Sequence, residues 1–421
     1  MCVEKTSRGM NPDELGQNTH ERGLMASIPD VVVLSAARTA IGRYGGSLKD
    51  KSPSDLATVV TREAMARAGI EPAGVGHVVF GNVIHSDQRD MYLSRVAAVN
   101  AGIPVETPAL TLNRLCGSGL QAIISAAQTI KLGDARAAVG GGAECMSRGQ
   151  YWMPALRWGQ RMSDGACIDA MVAALTDPFD NVHMGVTAEN LAAKYGITRE
   201  EQDEFAVESH RRAIAAMKNC RFNDQIVPIE LKSKEGVVQY VTDEHPRADA
   251  TVAGMAKLKP AFSKTGTVTA GNASGINDAA AAVVLMDADE AERRGLRYMA
   301  RLVAYSVVGV DPKFMGIGPV PAIRDVMKKS GLTLDDMAVI ELNEAFAAQS
   351  LAVFKELDLP KDRTNPNGGA IALGHPIGAS GAILTVKALY ELHRIQGRYA
   401  LVSLCIGGGQ GIAAIFERPQ N

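Results

Sequence analysis

The chain repeats its own programme. AMARAGIEPAGVGHVVFGNVI, starting at Ala64, is echoed by VMKKSGLTLDDMAVIELNEAF, starting at Val326: a helix, a glycine, a short link, then a strand into an Asn-bearing loop. CGSGLQAIISAAQTIKLGDARAAVGGG, from Cys116, is echoed in the same way by GASGAILTVKALYELHRIQGRYALVSLCIGGG, from Gly378. A period of about 270 residues is far too long for a solenoid, so the chain reads as two related α/β halves. Helix-spaced and strand-like runs alternate from residue 30 onward, which predicts right-handed crossovers and a largely parallel sheet covered on both faces. In such an arrangement the functional surface lies where loops of the two halves meet.

Three parts follow: a first half over 29–148, an interruption over 149–275 and a second half over 276–421. The interruption holds both tryptophans (Trp152, Trp158), a Met-rich stretch, the polar segment TDEHPRADAT and one helix within ITREEQDEFAVESHRRAIAAM. So long an insert is more often functional than idle, and a lid or cofactor-gripping subdomain is expected. Residues 1–28 read as a disordered extension, with Met25 an alternative start. Its first 24 residues carry three basic and four acidic residues and no apolar core, unlike a mitochondrial presequence or a secretory signal.

Composition narrows the function. With 44 basic and 46 acidic residues the net charge is −2, so there is no basic excess to neutralise nucleic-acid phosphates. No run approaches the roughly 18–20 apolar residues that span a bilayer, and a cytoplasmic protein with no membrane partner is expected. The six cysteines show no CxxC pair and no His cluster, which argues against a metal site and for free thiols.

Cys116, in NRLCGSG, stands directly before an apolar helix, where the helix dipole is expected to draw its pKa toward thiolate. A buried structural Cys is the alternative. Cys405, in SLCIGGGQG, stands at a strand end before a glycine run whose N–H groups could form an oxyanion site. That run also reads as a plain turn or, less well, as a dinucleotide loop, for which too little chain follows. His375, between glycine-dense stretches and stiffened by Pro376, is a candidate general base or a structural histidine. Asn343, in ELNEAFAAQ, could donate to an oxyanion or hold a water, or could simply cap the next helix.

NRLCGSG, NEAF, GHPIGASG and CIGGGQG, in that order, resemble the thiolase family over nearly the whole chain from Val31, and look most similar to the bacterial biosynthetic β-ketothiolases. The resemblance implies a duplicated αβαβα layered fold with a loop/lid insert. It departs at Cys145, where relatives usually carry Ser, and at residues 1–24, which have no counterpart.

By resemblance, the activity is a reversible Claisen condensation of two acyl-CoA molecules, or thiolysis of a 3-ketoacyl-CoA, in fatty-acid metabolism or polyhydroxyalkanoate biosynthesis. Cys116 would carry the acyl group, His375 would take its proton and Cys405 would handle the α-carbon proton. A water held by Asn343, with His375, would serve the enolate; the N–H groups of Cys116 and Gly407 would serve the tetrahedral intermediate. Coenzyme A as substrate, with no tightly bound cofactor, would lie against Leu175, His183, Met184, Arg247, Phe262, Ala270, Ser274, Met315 and Ala345. On local grounds alone Arg247 reads as a surface charge and Met184 as core packing. A homotetramer is implied. A decarboxylating synthase on the same fold would lack the second thiol, and a non-catalytic carrier would need neither.

Overall fold

The computed structural model describes residues 29–233 and 236–420. The extension expected over 1–28 lies outside them. Nine principal strands and seven helices carry the fold: β1 Val31–Arg38, α1 Pro53–Ala68, β2 His77–Gly81, α2 Leu93–Asn100, β3 Ala109–Leu112, α3 Ser118–Lys131 and β4 Ala137–Cys145 come first. After the interruption, which contains α4 Arg199–Lys218, come β5 Asn277–Asp287, β6 Ala300–Gly309, α5 Pro319–Ser330, β7 Met337–Leu342, α6 Ala347–Leu357, α7 Ile377–Arg394, β8 Tyr399–Ile406 and β9 Gln410–Glu417.

The strands lie in the order β7-β8-β9-β6-β1-β5-β4-β2-β3. Each half contributes the same motif. β2 and β4 pair in parallel, as do β7 and β8; β4–β5 and β8–β9 pair antiparallel, and so do β5–β1 and β9–β6. A short antiparallel contact, Val32 with Arg301 and Val33 with Ala300, joins the halves. The sheet is therefore mixed, with an antiparallel centre, and not largely parallel. Helical crossovers produce the parallel pairs expected from the alternation, but β9 returns through a three-glycine hairpin and β5 returns after the long excursion, and each must run the other way.

Both helices that precede the last two strands of a half, α3 and α7, pack against each other between the half-sheets, with α1 and α5 on the outer faces. Their apolar composition fits burial all round: α7 buries fifteen of its residues, from Ile377 to Leu392, including Lys387. Lys387 is tolerated there because its Nζ donates to Glu341 on β7 (2.7 Å) and to the Gly368 carbonyl (2.8 Å).

The excursion between β4 and β5 is fastened to the core by one fully buried ion pair. Arg38, at the end of β1, donates two parallel hydrogen bonds to Asp243 (2.8 and 3.0 Å), one to Gln225 (3.0 Å), and lies over the Phe222 ring at 5.1 Å. Asp243 also accepts from the Ile41 N–H at 2.8 Å. Breaking one side of such a pair strands a buried charge. Arg38→Met or Asp243→Leu alone is expected to cost about 3–5 kcal/mol in urea unfolding, and the double substitution to recover most of that loss. Single-variant losses below about 1 kcal/mol would show that the pair does not hold the insert.

Candidate active site

Cys116 sits in a single 3-10 turn, Leu115–Gly117, that leads into α3. The turn is strained: Leu115 adopts φ 44°, a left-handed conformation unusual for a leucine. Side chains hold it there. The Asn113 Oδ1 accepts from the Leu115 N–H (2.8 Å), and the Ser118 Oγ accepts from the Arg114 N–H (2.8 Å) while donating to the Leu115 carbonyl (2.7 Å). The turn rests on the end of β8, where a Cβ at Gly117 would meet Ile406 at 2.6 Å. From the glycine turn after β8, the Gly407 N–H comes near enough to the Cys116 sulfur to favour its anion. Cys405, one residue before the end of β8, is fully buried, and the two thiols lie close enough to interact electrostatically.

His375 enters through Gly374, whose φ of +105° and packing against Asn277 leave no room for a Cβ. Asn277 Oδ1 accepts from the His375 N–H (3.0 Å). The Ser380 Oγ donates to the Pro376 carbonyl (2.9 Å), so at 2.6 Å from His375 Nδ1 it accepts from an Nδ1–H. That tautomer, assigned from the bonding pattern, leaves the Nε2 lone pair free as a base, with the Asn343 Nδ2 at 3.5 Å. Asn343 does not cap the following helix, which starts at Ala347 after an N-cap at Phe346. Its Oδ1 is buried without a protein partner among the described residues. The NEAF loop is pinned to the insert, the Ala345 carbonyl accepting from Ser274 N–H (3.0 Å) and the Asn272 carbonyl from Ala347 N–H (2.8 Å).

At rest the site is neutral. Burial pushes the Cys116 thiol up to about 11, against the opposing pull of the Gly407 and Cys116 N–H groups. Burial raises Cys405 well above the ordinary thiol range, with Cys116 adding to the shift. Burial also lowers His375 to about 4, so its imidazole is uncharged at neutral pH. For Cys116 desolvation is the larger influence and runs against the pull toward thiolate expected at the helix start.

A cavity of about 800 Å³ opens above Cys116. All nine positions named by resemblance for coenzyme A line it, together with Cys116 and Gly407; Cys405, His375 and Asn343 lie buried and do not line it. His183 stacks on Phe262 (ring centroids 4.5 Å apart), and Met184 packs where a Cβ on Gly407 would stand. The lining carries Arg43 and Arg247 beside Glu244 and Asp249, so its charge is mixed. Sequence reasoning missed several supports. Glu144 accepts four N–H bonds, from Asn82, Val83, Ile84 and Gly378, and ties the start of α7 to the first half. Burial pushes its carboxyl up to about 8 while those four donors favour the charged form. Ser380 stood in view in GASG; Glu144 and Asn277 carry no local signal because their partners are distant in sequence. Among the described residues there is no group of side chains that could hold a metal ion and no helix long and apolar enough to cross a membrane.

Two thiols and a neutral imidazole, gathered where duplicated α/β halves meet, define a cysteine-dependent acyltransferase. Family models for the N-terminal and C-terminal thiolase domains match residues 31–289 and 296–418. The "Beta-ketothiolase BktB" of Cupriavidus necator is 64% identical over 390 residues, 92% of this chain and 99% of that one. The crystal structure of the Bacillus anthracis acetyl-CoA acetyltransferase superposes with TM-score 0.91 at 48% identity, covering 93% of this chain and 99% of that one. Human mitochondrial 3-ketoacyl-CoA thiolase in complex with CoA gives 0.90 at 46%, covering 93% and 98%. The chain belongs to the thiolase family.

A thiol held above its usual range reacts only through its minor ionised fraction. Alkylation of Cys116 by iodoacetamide, followed by mass spectrometry, is expected to accelerate roughly tenfold per pH unit through pH 9. A plateau below pH 8 would show a resting thiolate instead.

Proposed function

We propose that the chain is a β-ketothiolase, an acetyl-CoA C-acyltransferase that condenses two acyl-CoA molecules and, in reverse, cleaves a 3-ketoacyl-CoA. The observation that carries this reading is the pairing of two thiols in unlike settings, one on a strained turn at the cavity floor and one buried beside it, next to an imidazole whose Nε2 is free.

The Cys116 S–H gives its proton to His375 Nε2, and the sulfur adds to the thioester carbonyl. The oxyanion faces the N–H groups of Cys116 and Gly407; loss of one such donor typically costs about 3–4 kcal/mol of barrier. Collapse breaks the carbon–sulfur bond to coenzyme A, whose thiolate takes the proton from the imidazolium, and leaves an acyl-Cys116. A second acetyl-CoA then enters; Cys405 passes its S–H proton to His375 Nε2 and, as thiolate, removes the α-proton. The enolate oxygen is met by the imidazolium Nε2–H and a water on Asn343. The carbanion attacks the acyl carbonyl, the 3-ketoacyl-CoA departs, and the Cys116 thiolate takes the proton from His375, which leaves both thiols neutral again. Neutral resting thiols suit this cycle, since every charge is created and cancelled inside the site.

Coenzyme A would thread the cavity between the insert (149–275) and the two halves, β5 (Asn277–Asp287) completing the first, its phosphates toward Arg247 and its pantetheine along Leu175, His183, Met184, Phe262 and Met315, with Ala270, Ser274 and Ala345 alongside. The solved relative that holds CoA supports this placement. No cofactor is needed besides the substrate. The protein would work in the cytoplasm as a homotetramer. In support, Tyr151–Trp152 pairs antiparallel with Ile168–Asp169, and this arm exposes Leu156, Trp158 and Met162. Production of 3-ketoacyl-CoA for polyhydroxyalkanoate synthesis is the proposed role, in line with the likeness to the C. necator β-ketothiolase.

The two sulfurs are separable by experiment. With acetyl-CoA, Cys116→Ser should form no acetyl-thioester on the enzyme, whereas Cys405→Ser should still acetylate Cys116 and yet lose about 10³-fold or more in kcat for thiolysis of acetoacetyl-CoA. Wild-type turnover in either variant would remove the proposal.

A further inference from the structure

NRLCGSG and CIGGGQG each carry a polar side chain that the proposed chemistry leaves idle, Arg114 and Gln410. The structure joins them across the two halves: Arg114 Nη1 donates to Gln410 Oε1 at 3.0 Å. Among the described residues this is the one hydrogen bond between two side chains that joins the 113–118 turn to the β8–β9 hairpin.

Each end is anchored differently. Gln410 opens β9 and pairs with Ile406 across the hairpin and with Gly309 on β6, so its backbone is held from both sides. Arg114 stands on the strained turn beside Leu115, its own N–H spent on Ser118 and its Nε buried without a partner among the described residues. Between the anchors lies a three-glycine turn. At Gly408 (φ +78°) no described atom lies within 4 Å of where a Cβ would sit, whereas Gly409 (φ +85°) backs onto Val310 and Pro312 and its carbonyl accepts from the Val310 N–H (2.8 Å). The Gly407 end faces the Met184 and Leu115 side chains, and its N–H lies near enough to the Cys116 sulfur to favour the thiolate.

We propose that Arg114 and Gln410 form a positioning pair that sets the Gly407 N–H against Cys116, and so shapes the oxyanion site shared by the two halves. The inference rests on the proposed acyl transfer for its catalytic meaning, but the sulfur–N–H geometry it invokes does not. Neither residue lines the cavity. Both act through the turns they hold, so their loss should fall on the transition state and spare ground-state binding.

The test uses the full chain carrying Arg114→Ala, Arg114→Lys, Gln410→Ala, Gln410→Met and the double Arg114→Ala/Gln410→Ala. In acetoacetyl-CoA thiolysis each alanine variant should lose about 10- to 100-fold in kcat with KM within about threefold. The double variant should be no worse than the poorer single, because one contact is lost in every case. Arg114→Lys, which can still donate to Oε1, should recover at least a third of wild-type kcat. Single losses under twofold, or losses that multiply in the double variant, would overturn the pairing, as would a fall expressed in KM alone. Should Arg114→Ala not fold, Gln410→Met, which keeps the volume and removes the acceptor, decides the matter. Iodoacetamide alkylation of Cys116 at pH 8.5 gives a readout independent of activity. Both alanine variants should react about three- to tenfold more slowly as the N–H drifts from the sulfur, and unchanged rates overturn the proposal. Absence of thiolysis in the wild type would count against the function reading, leaving alkylation to judge the pair.

Discussion

Backbone-to-backbone contact between α3 and α7 sets the geometry from which everything else follows. A Cβ on Gly119 would stand 2.6 Å from the Ala382 nitrogen and one on Gly381 2.4 Å from the Leu120 nitrogen; on β4, one on Gly142 would stand 2.3 Å from the Gly378 carbonyl oxygen. No side chain fits at these three positions, so α3 and β4 approach α7 as closely as their main chains allow. Cys116 lies just ahead of one helix and His375 just ahead of the other. Any residue larger than glycine at the crossing would therefore separate the thiol from the imidazole before it disturbed either locally.

Close approach also buries Cys405 and His375, and desolvation is the largest influence on the charge state of all three groups. A helix N-terminus in water would draw a thiol toward its anion, but burial here costs more than the dipole and two N–H groups return. The same burial holds His375 uncharged. A neutral thiol beside a neutral imidazole is the state a low-dielectric pocket favours over an ion pair. The base need not be strong in water; it has only to lie where the proton leaves. Ser380 contributes by fixing the tautomer, because a hydroxyl already committed to the Pro376 carbonyl can only accept from Nδ1.

Much of this was legible in the chain because duplication is a long-range signal written in local code. Helix-spaced apolar residues, C-terminal glycines and strand runs placed β1, α1, β2, α3 and β4 and their later echoes, and three glycine-rich motifs with NEAF pointed to the segments that meet at the site. What escaped was what depends on partners far apart in sequence. The direction of β5 is set by where a long excursion returns, and nothing in NDAAAAVVLMD records it. Arg38 and Asp243, over two hundred residues apart, look like ordinary charges until the fold buries them together. Glu144 and Asn277 are equally mute, and the thiol's pKa was misjudged because a sequence shows the dipole and hides the desolvation.

The duplication also explains why two similar halves make one site. In each half an Asn directly follows the second strand (Asn82 and Asn343), one residue precedes the central helix by two positions (Cys116 and His375), and one residue stands next to last on the strand after it (Glu144 and Cys405). The matched positions received different side chains. In the second half the connection that follows this strand remains a three-glycine turn, tight enough to present an N–H to sulfur. In the first half the same connection opened into residues 146–276, which roof the cavity. Asn82 donates to Glu144, which also accepts from the Gly378 N–H, at 2.9 Å each. One copy of the constellation carries the proposed chemistry, and its pseudo-symmetric twin holds that copy's helix in place. A duplicated fold can in this way supply both a site and the rigid support that a site requires.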